Sequence, residues 1–184
     1  EHLEKCHDIN VFNNTCGLHV HLNRDAFSKY HLLRFCQFII NNPNLSIYVG
    51  RRSDNSRLGD YASWSKTLIN RDLYKMVLRK SINVNGLRLG GKMTAINFKH
   101  PATIELRYFG NTKTPKYFYS KFEYIQAVFN VTKFNSGIDN GRGLMGYLNR
   151  NKNAYRNLIK HLDTRYGRHC VRYSKGCPKE VETY

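Results

Sequence analysis

Acidic residues are scarce in this sequence: its 184 residues include 13 Asp and Glu against 30 Lys and Arg, which gives a formal net charge of +17. An imbalance of this size favours polyanionic partners, such as nucleic acid, nucleotide phosphates or an anionic membrane surface. The alternative is a basic surface that only keeps the protein soluble, as in proteins of AT-rich genomes, because Asn, Lys and Tyr are all abundant.

Long apolar runs are absent. No stretch approaches the roughly 20 apolar residues that a membrane-spanning helix requires, so we predict a chain without a membrane span. The first residues, EHLEKCHDIN, are polar and do not resemble a signal peptide, and we expect a cytoplasmic location. The sequence does not begin with Met, and we expect that a segment upstream of Glu1 has been removed or left out.

Cysteine is present but forms no recognisable motif. The five cysteines include no CxxC pair, which excludes a zinc knuckle and a dithiol redox motif. Cys16 and Cys36 lie in apolar segments, where we expect small buried residues. Cys170 and Cys177 close a short loop, for which a reduced pair is favoured over a disulfide.

The apolar residues that are present predict a folded domain with helices and strands. Hydrophobic residues make up 41% of the chain and aromatic residues 13%, which argues against disorder. The order of strand, helices, hairpin and helices predicts an α+β fold with a mainly antiparallel sheet. We expect a core domain at 1–135 and a basic helical extension at 136–184. The predicted elements are a strand at 16–22, a helix at 26–40 capped by Asp25, a strand or helix extension at 45–49, a helix at 61–80, a hairpin of strands 93–98 and 102–109 around a turn at 99–101, a helix at 116–134, a basic helical stretch at 144–162 and a loop-rich tail from Arg165.

The segment TCGLHVHL places two histidines on one face of an apolar strand. Alternate residues of a strand share a face, so His19 and His21 point to the same side. The intervening Leu18, Val20 and Leu22 point to the other side, which is the expected core face. Since an isolated HxH motif is weak, the histidine side is either a solvated surface or half of a functional site.

A second strand repeats this pattern. In TIELRYF, Glu105 and Arg107 share one strand face. If this strand neighbours the histidine strand, the four polar side chains converge on a concave polar surface. Histidine and glutamate suit a divalent cation such as Mg²⁺ or Mn²⁺, whereas a guanidinium binds phosphate or carboxylate. A metal ion beside such an arginine equips a site for phosphoryl chemistry. The alternative is a solvated sheet face with ion pairs of little energetic value.

Several motifs taken together resemble those of the amidoligase family: CGLHVHLNRDAF, the segments YVGRRS and YASW, and the hairpin MTAINFKHPATIELRYFGNT. The family consists of carboxylate–amine ligases of the glutamine-synthetase-like fold, many of them encoded by phages and mobile elements. The shared features are CGxHVH, an Arg-containing segment, and a hairpin ending in T-(I/V)-E-(F/L)-R-x-F before a Gly-Thr turn. The resemblance covers about residues 15–130. It implies a curved, mainly antiparallel sheet with flanking helices and, for a phage-encoded chain, the host cytoplasm.

The resemblance also implies cofactors and the residues that hold them. His19 and Glu105 would bind a metal ion, Mg²⁺ or Mn²⁺. His21 would face the phosphates of ATP.

Three arginines receive catalytic roles from the same resemblance. Arg107 would contact the nucleotide and stabilise charge on the transferring phosphoryl group, and Arg51 or Arg52 would reach substrate or phosphate. The implied reaction uses ATP to phosphorylate a small-molecule or peptide carboxylate, and an amine then captures the acyl phosphate to form an amide. Stabilisation of developing charge is the main catalytic contribution in such chemistry.

One part of the family pattern is not found in these residues. The family begins with a strand bearing GxExE, whose carboxylates complete the metal sites, whereas the only glutamates before TCGLHVHL are Glu1 and Glu4. We therefore expect a missing upstream segment, a partner chain that supplies it, or a degenerate site. A degenerate ligase-like fold that serves as a component of a virion or nucleoprotein assembly is the second hypothesis.

The C-terminal third carries the densest basic signal. The segments RNKNAYRNLIKH (150–161) and DTRYGRHCVRYSKG (163–176) interleave Arg and Lys with Tyr. This pattern suits non-specific nucleic-acid binding, because basic groups neutralise phosphates and rings stack on bases. A solvated basic helix with a tail is the alternative. The glycine-rich loop SGIDNGRGLMG (136–146) is either a phosphate-cradling loop or, as we favour, a helix connection, since it lacks the GxxxxGK[ST] pattern.

Overall fold

A computed structural model of the chain describes residues 17–51, 95–98, 100–112, 114–134 and 137–173. Within these ranges the protein is α+β, with a three-stranded antiparallel sheet and six α-helices. The predicted helix at 61–80 lies outside the described residues. The strands are β1 (Gly17–Asn23), β2 (Ile96–Asn97) and β3 (Thr103–Gly110). The helices are α1 (Lys29–Asn41), α2 (Pro43–Gly50), α3 (Pro115–Phe134), α4 (Gly141–Arg150), α5 (Arg156–Leu162) and α6 (Arg165–Arg172).

The strand order is β1-β3-β2, so β3 lies between the other two. This arrangement confirms the predicted antiparallel sheet and hairpin. The pairing of Asn97 with Glu105 centres the hairpin on Pro101, whereas the predicted turn at 99–101 centres it on His100. Moving the centre by one residue moves each cross-strand partner by two positions, so Asn97 lies opposite Glu105 rather than opposite Thr103.

A β-bulge interrupts the pairing of β1 with β3. The register shifts between Leu18 and Val20, so β3 holds one extra residue at that point. Tyr108 and Phe109 follow one another in β3, yet both side chains are fully buried. Strict alternation would place one of the two rings on the polar face, and the bulge next to Arg107 permits both to join the core.

Helix α1 begins later than the sequence pattern predicts. Asp25 does not cap it; residues Arg24–Ala26 form a short 3-10 turn, and the side chain of Asn23 accepts a hydrogen bond from the Asp25 N–H. Ser28 is the N-cap of α1, and its Oγ accepts from the His31 N–H at 3.2 Å. Serine is among the preferred capping residues, which accounts for the start of α1 at Lys29.

Residues 45–49 are helical, so the strand interpretation of this segment was wrong. Pro43 occupies the first turn of α2, where its missing N–H costs no hydrogen bond. Arg51 ends the helix in the left-handed conformation, with φ of 51°. Gly50 allows α2 to lie directly on the sheet, because a Cβ there would come within 2.6 Å of the Tyr108 carbonyl oxygen.

The basic helical stretch predicted at 144–162 comprises two helices, which are separated at residues 151–155. A residue of another helix binds the start of α5. Glu123 of α3 accepts hydrogen bonds from the Leu158 N–H at 2.7 Å and from Asn157 Nδ2 at 2.6 Å. A carboxylate at a helix N-terminus satisfies free N–H groups and complements the helix dipole.

The tail from Arg165 was expected to be rich in loops, but it forms helix α6. Thr164 is the N-cap, with Oγ1 accepting from the Gly167 N–H at 2.9 Å. A Cβ at Gly167 would lie 2.6 Å from the Leu162 carbonyl oxygen, so glycine permits α6 to pack tightly on the end of α5. The glycine-rich loop is a helix connection, as favoured: α4 begins at Gly141, inside the predicted loop.

One hydrophobic core joins the sheet to the helices. It contains Leu106 and Tyr108 of β3, and Leu144, Leu148 and Leu158 from the helices after residue 136, all fully buried. The helices of the predicted C-terminal extension therefore share the core of the sheet, and the boundary at residue 135 stays a prediction.

Two thiols belong to the buried interior. Cys36 and Cys170 are free and buried, as expected for Cys36, whereas Cys6, Cys16 and Cys177 lie outside the described residues. Among the described helices, none is both long enough and apolar enough to cross a membrane.

Candidate functional site

The four polar residues predicted from the two strand patterns lie on adjacent strands. His19 and His21 are on β1, Glu105 and Arg107 are on β3, and His21 is the direct cross-strand partner of Glu105. The interleaved Val20 is buried in the core on the opposite face. The alternation of apolar and polar residues therefore places the four side chains together, as predicted.

The Glu105 carboxylate is the centre of this cluster. One oxygen, Oε1, lies 2.8 Å from His19 Nδ1. The other oxygen, Oε2, accepts a hydrogen bond from Asn97 Nδ2 at 2.7 Å. Glu105 is 9% exposed, and a buried carboxylate is costly unless it is paired and hydrogen-bonded. Neighbours on both flanking strands therefore satisfy this carboxylate.

Arg107 supplies the positive charge beside that carboxylate. Its Nη1 lies 3.4 Å from Oε1 and 3.5 Å from Oε2 of Glu105. The Arg107 side chain is 15% exposed and the Glu105 side chain 11% exposed. Partial burial weakens solvent screening and strengthens the attraction between the two charges. Arg107 is thereby held against the carboxylate rather than extended into solvent.

The two histidines form the solvent-exposed side of the cluster. The side chain of His21 is 54% exposed and that of His19 is 39% exposed. His21 Nε2 lies 4.0 Å from Glu105 Oε1, beyond hydrogen-bond length, while its Nδ1 lies 3.3 Å from Thr103 Oγ1. A ligand that approaches this face of the sheet meets the imidazoles first and the carboxylate behind them.

Asn97 is a member of the cluster that the sequence reasoning missed. It lies in the predicted first strand of the hairpin and is buried, at 8% exposed. Asn97 could have been identified only from its cross-strand position opposite Glu105. That pairing is obtained when the hairpin is centred on Pro101. A strand prediction without a register could not identify it.

Arg51 occupies a different environment from the strand cluster. Its guanidinium carbon lies 3.7 Å from the centroid of the Tyr117 ring on α3, a cation–π contact. In the part of the chain that the structure describes, Arg51 makes none of the hydrogen bonds or ion pairs of the Glu105 cluster. Arg52, the other predicted substrate-binding arginine, lies outside the described residues.

A buried titratable group near Arg51 was not predicted. Lys121 is fully buried, and its ammonium donates to the Gly110 carbonyl at the end of β3. Burial, with a smaller contribution from the Arg51 charge, lowers the pKa of Lys121 to about 8. A lysine in the middle of an aromatic-rich helix gives no sequence signal of burial, because lysine is rarely buried.

His161 of α5 belongs to the same buried region. Its Nδ1 lies 3.0 Å from Ser120 Oγ, and its ring contacts those of Tyr48 and Tyr117, with centroids 4.8 and 4.9 Å away. Burial lowers the pKa of His161 to about 4, and nearby positive charges, that of Lys121 among them, act in the same direction. At neutral pH the His161 imidazole is therefore uncharged in the folded protein.

The residues of the strand cluster match the requirements of Mg²⁺ only in part. One carboxylate and two imidazoles face the site, whereas Mg²⁺ prefers oxygen ligands in near-octahedral geometry. Among the described residues, no group of three His, Cys, Asp or Glu is arranged to hold a metal ion. The described part of the chain therefore offers at most a portion of a metal site.

Comparisons of the chain with models of protein families, with curated proteins and with solved structures found no match. The resemblance to amidoligases therefore depends on the sequence motifs themselves. Beyond the α+β architecture with an antiparallel sheet, the glutamine-synthetase-like fold stays a prediction.

Proposed function

We propose that the chain is an ATP-dependent carboxylate–amine ligase, or the C-terminal portion of one. The observation that supports this proposal is the contact of His19 with Glu105, 2.8 Å apart across two adjacent strands. The motifs that resemble the amidoligase family contribute these two residues from separate segments. A solvated face with unrelated polar residues would not require them to meet.

The proposed reaction has two steps. The substrate carboxylate attacks the γ-phosphorus of ATP, which forms an acyl phosphate and releases ADP. The amine then attacks the acyl carbon, the C–O bond to phosphate breaks, and the amide and inorganic phosphate leave. Bound Mg²⁺ would neutralise negative charge on the phosphates in the first step.

The residues of the chain have distinct parts in this proposal. His19 and Glu105 would hold the ion, and His21, the most exposed of the four clustered side chains, would face the phosphates. Arg107 would stabilise charge on the transferring phosphoryl group, because a fixed guanidinium matches phosphate oxygens. Arg51 or Arg52 would reach the substrate.

Trapping of the acyl phosphate tests this function directly. We expect the chain, mixed with ATP, Mg²⁺ and a panel of carboxylates, to form hydroxamate slowly when hydroxylamine replaces the amine, because the described part of the site offers a single carboxylate. His19→Ala and Glu105→Gln should abolish the product. His169→Ala, which removes an exposed histidine of α6, is the matched control and should not. Trapping that survives Glu105→Gln would refute the site assignment.

We infer a second candidate function, binding of nucleic acid through the C-terminal helices. The supporting observation is exposure: the basic residues between 142 and 173 are all exposed, and Asp163 is the only acidic residue in that span. They are Arg142, Arg150, Lys152, Arg156, Lys160, Arg165, Arg168 and Arg172. Such a surface creates a positive field that attracts phosphates without reading bases.

The test of this second function is a salt titration of binding to single- and double-stranded DNA and RNA. We expect binding at low salt and a steep loss as salt rises, because affinity comes from counterion release. If no nucleic acid binds even at low salt, the basic surface has no such role.

A further inference from the structure

Helix α6 carries two parallel rows of side chains. In its sequence, RYGRHCVRY (165–173), a ring follows each arginine directly. The arginines are Arg165, Arg168 and Arg172, and the rings are those of Tyr166, His169 and Tyr173, the last of which ends the helix. Residues three and four apart share a helix face, so the arginines form one row and the rings an adjacent one.

The face with these rows is directed away from the core. The side chains that α6 buries are Cys170 and Val171, together with the close contact at Gly167. Tyr166 is 41% exposed and Tyr173 is 52% exposed. A helix that needed only solubility would carry polar residues at such positions, since aromatic side chains gain most from burial.

The rings form a continuous series across two helices. The Tyr166 and His169 rings are nearly parallel, at 18° with centroids 6.3 Å apart, and the His169 and Tyr173 centroids are 4.7 Å apart. Tyr48 of α2 extends the series, with its centroid 5.4 Å from that of Tyr166. Its hydroxyl lies 2.7 Å from Thr164 Oγ1, the N-cap of α6, which fixes the ring against the start of the helix.

The arginine row is available to an anionic partner. Arg165, Arg168 and Arg172 are all exposed. Arg168 forms an ion pair with Asp163 at 2.7 Å, and both side chains are 66% exposed. An ion pair this exposed contributes little to stability, so phosphates can compete for the guanidinium.

We propose that this face of α6, the ring–arginine face, binds single-stranded nucleic acid, with bases stacked on the rings and phosphates along the arginine row. The inference rests on the second proposed function and names its preferred partner. A duplex keeps its base faces covered by stacking, so rings can select a single strand whereas charge alone cannot. An anionic membrane surface would satisfy the arginines but would not use the rings as stacking platforms.

The experiment compares three probes of equal length by fluorescence anisotropy with the full chain: oligothymidylate, an abasic oligomer and a duplex. We expect the tightest binding to oligothymidylate. The double substitution Tyr166→Leu and Tyr173→Leu, which keeps apolar volume, should weaken that binding about tenfold or more and leave the abasic oligomer nearly unaffected. Tyr119→Leu, at an exposed tyrosine of α3, is the matched control.

A second measurement does not depend on the leucine variants folding well. Tyr173→Trp combined with Trp64→Phe places the single tryptophan of the chain in the ring row, and we expect oligothymidylate, but not the abasic oligomer, to quench its emission. The double substitution Tyr166→Phe and Tyr173→Phe should retain wild-type affinity, because the rings remain.

The outcomes separate the two levels of the proposal. If none of the three probes binds, the nucleic-acid function fails and this inference fails with it. If all three bind equally and the leucine variant changes nothing, the function stands and the ring–arginine face is refuted. Tighter binding to anionic phospholipid vesicles than to oligothymidylate, with the same loss in the leucine variant, would assign the face to membranes instead.

Discussion

Asn97 donates a hydrogen bond to Glu105 at 2.7 Å, which attaches the two-residue strand β2 to the carboxylate at the centre of the candidate site. Through Glu105, which also contacts His19 on β1, the three strands are connected on their polar face. The geometry of the site and the stability of the hairpin are therefore linked.

Replacing Asn97 with Ala should destabilise the fold. The substitution leaves Glu105 Oε2 with only the long 3.5 Å contact to Arg107 Nη1, at a position that is 9% exposed. A poorly satisfied buried acceptor costs about 1–3 kcal/mol. The measurement is the free energy of unfolding in urea. Asn149→Ala, on the exposed surface of α4, should change it by less than about 0.5 kcal/mol. Equal effects of the two substitutions would mean that the Asn97–Glu105 bond contributes nothing.

The sequence predicted the composition of the polar face because one buried face constrains a whole strand. Val20 and Leu106 must face the core, so His21 and Glu105 must face away from it. The register could not be predicted in this way. It depends on the β-bulge and on the centre of the hairpin, which are properties of strand pairs rather than of single strands.

The sequence also failed where long-range packing decided the outcome. The N-terminus of α5 is bound by Glu123, a residue of another helix. Lys121, in the aromatic-rich helix α3, and His161, in the basic helix α5, have the residue types of surface positions but are buried. Local periodicity contains no information about which distant helix will cover a side chain.

Lowering the pH should destabilise the protein through His161. Its folded pKa of about 4 lies below the ordinary value of 6.5, so between these values the unfolded chain binds a proton that the folded chain excludes. The contribution of the neutral His161 to the free energy of unfolding is fully present above pH 6.5 and is lost as pH falls toward 4. The free energy of unfolding changes by up to about 1.4 kcal/mol per pH unit in this range.

Urea unfolding across this pH range compares the wild type with His161→Gln. The variant should lose most of the slope but keep some, because burial also lowers the pKa of His31. His100→Gln, at an exposed position, is the control and should follow the wild type. An unchanged slope in His161→Gln would show that the imidazole is not held neutral by the fold.

Lys121 should make the free energy of unfolding depend on pH in the alkaline range. Its folded pKa of about 8 lies below the ordinary 10.5, so the folded chain loses this proton first and stability rises with pH between these values. Lys121→Met removes that contribution. Its stability relative to wild type should be more favourable at pH 7 than at pH 9.5, by about 1–2 kcal/mol.

The comparison with Lys121→Met must be made as a difference at each pH, because other groups titrate in the opposite sense. Burial raises the pKa of Tyr124, which lowers the stability of both proteins at high pH. Lys133→Met, at an exposed position of α3, is the control. A difference between wild type and Lys121→Met that is independent of pH would contradict the lowered pKa.

The chain should bind Mg²⁺ weakly and turn over little ATP. In the described part of the site a single carboxylate, that of Glu105, faces the position proposed for the ion, and the Arg107 guanidinium lies 3.4 Å from one of its oxygens. The positive charge opposes a cation, and phosphoryl chemistry with Mg²⁺ ordinarily uses several anionic ligands. Isothermal titration with Mg²⁺, with and without ATP, measures the affinity, and a robust carboxylate-dependent ATPase would refute this prediction.

The last prediction concerns the salt dependence of nucleic-acid binding. Replacing Arg156, Lys160, Arg165 and Arg168 together with Gln should flatten the plot of log affinity against log salt, because each lost phosphate contact removes about 0.9 from the slope on duplex DNA and about 0.7 on single strands. All four side chains are exposed, so the substitutions should leave the core intact.

Two controls test whether the salt dependence comes from the C-terminal helices rather than from the strand cluster or from the net charge of the protein. His19→Ala should leave the slope unchanged, because the histidine site lies on the sheet rather than on the C-terminal helices. Lys29→Gln combined with Lys133→Gln removes exposed charge from α1 and α3 and should change the slope much less than Arg156→Gln combined with Lys160→Gln. If both pairs change it equally, binding depends on the net charge of +17 as a whole, and the C-terminal helices have no special part in it.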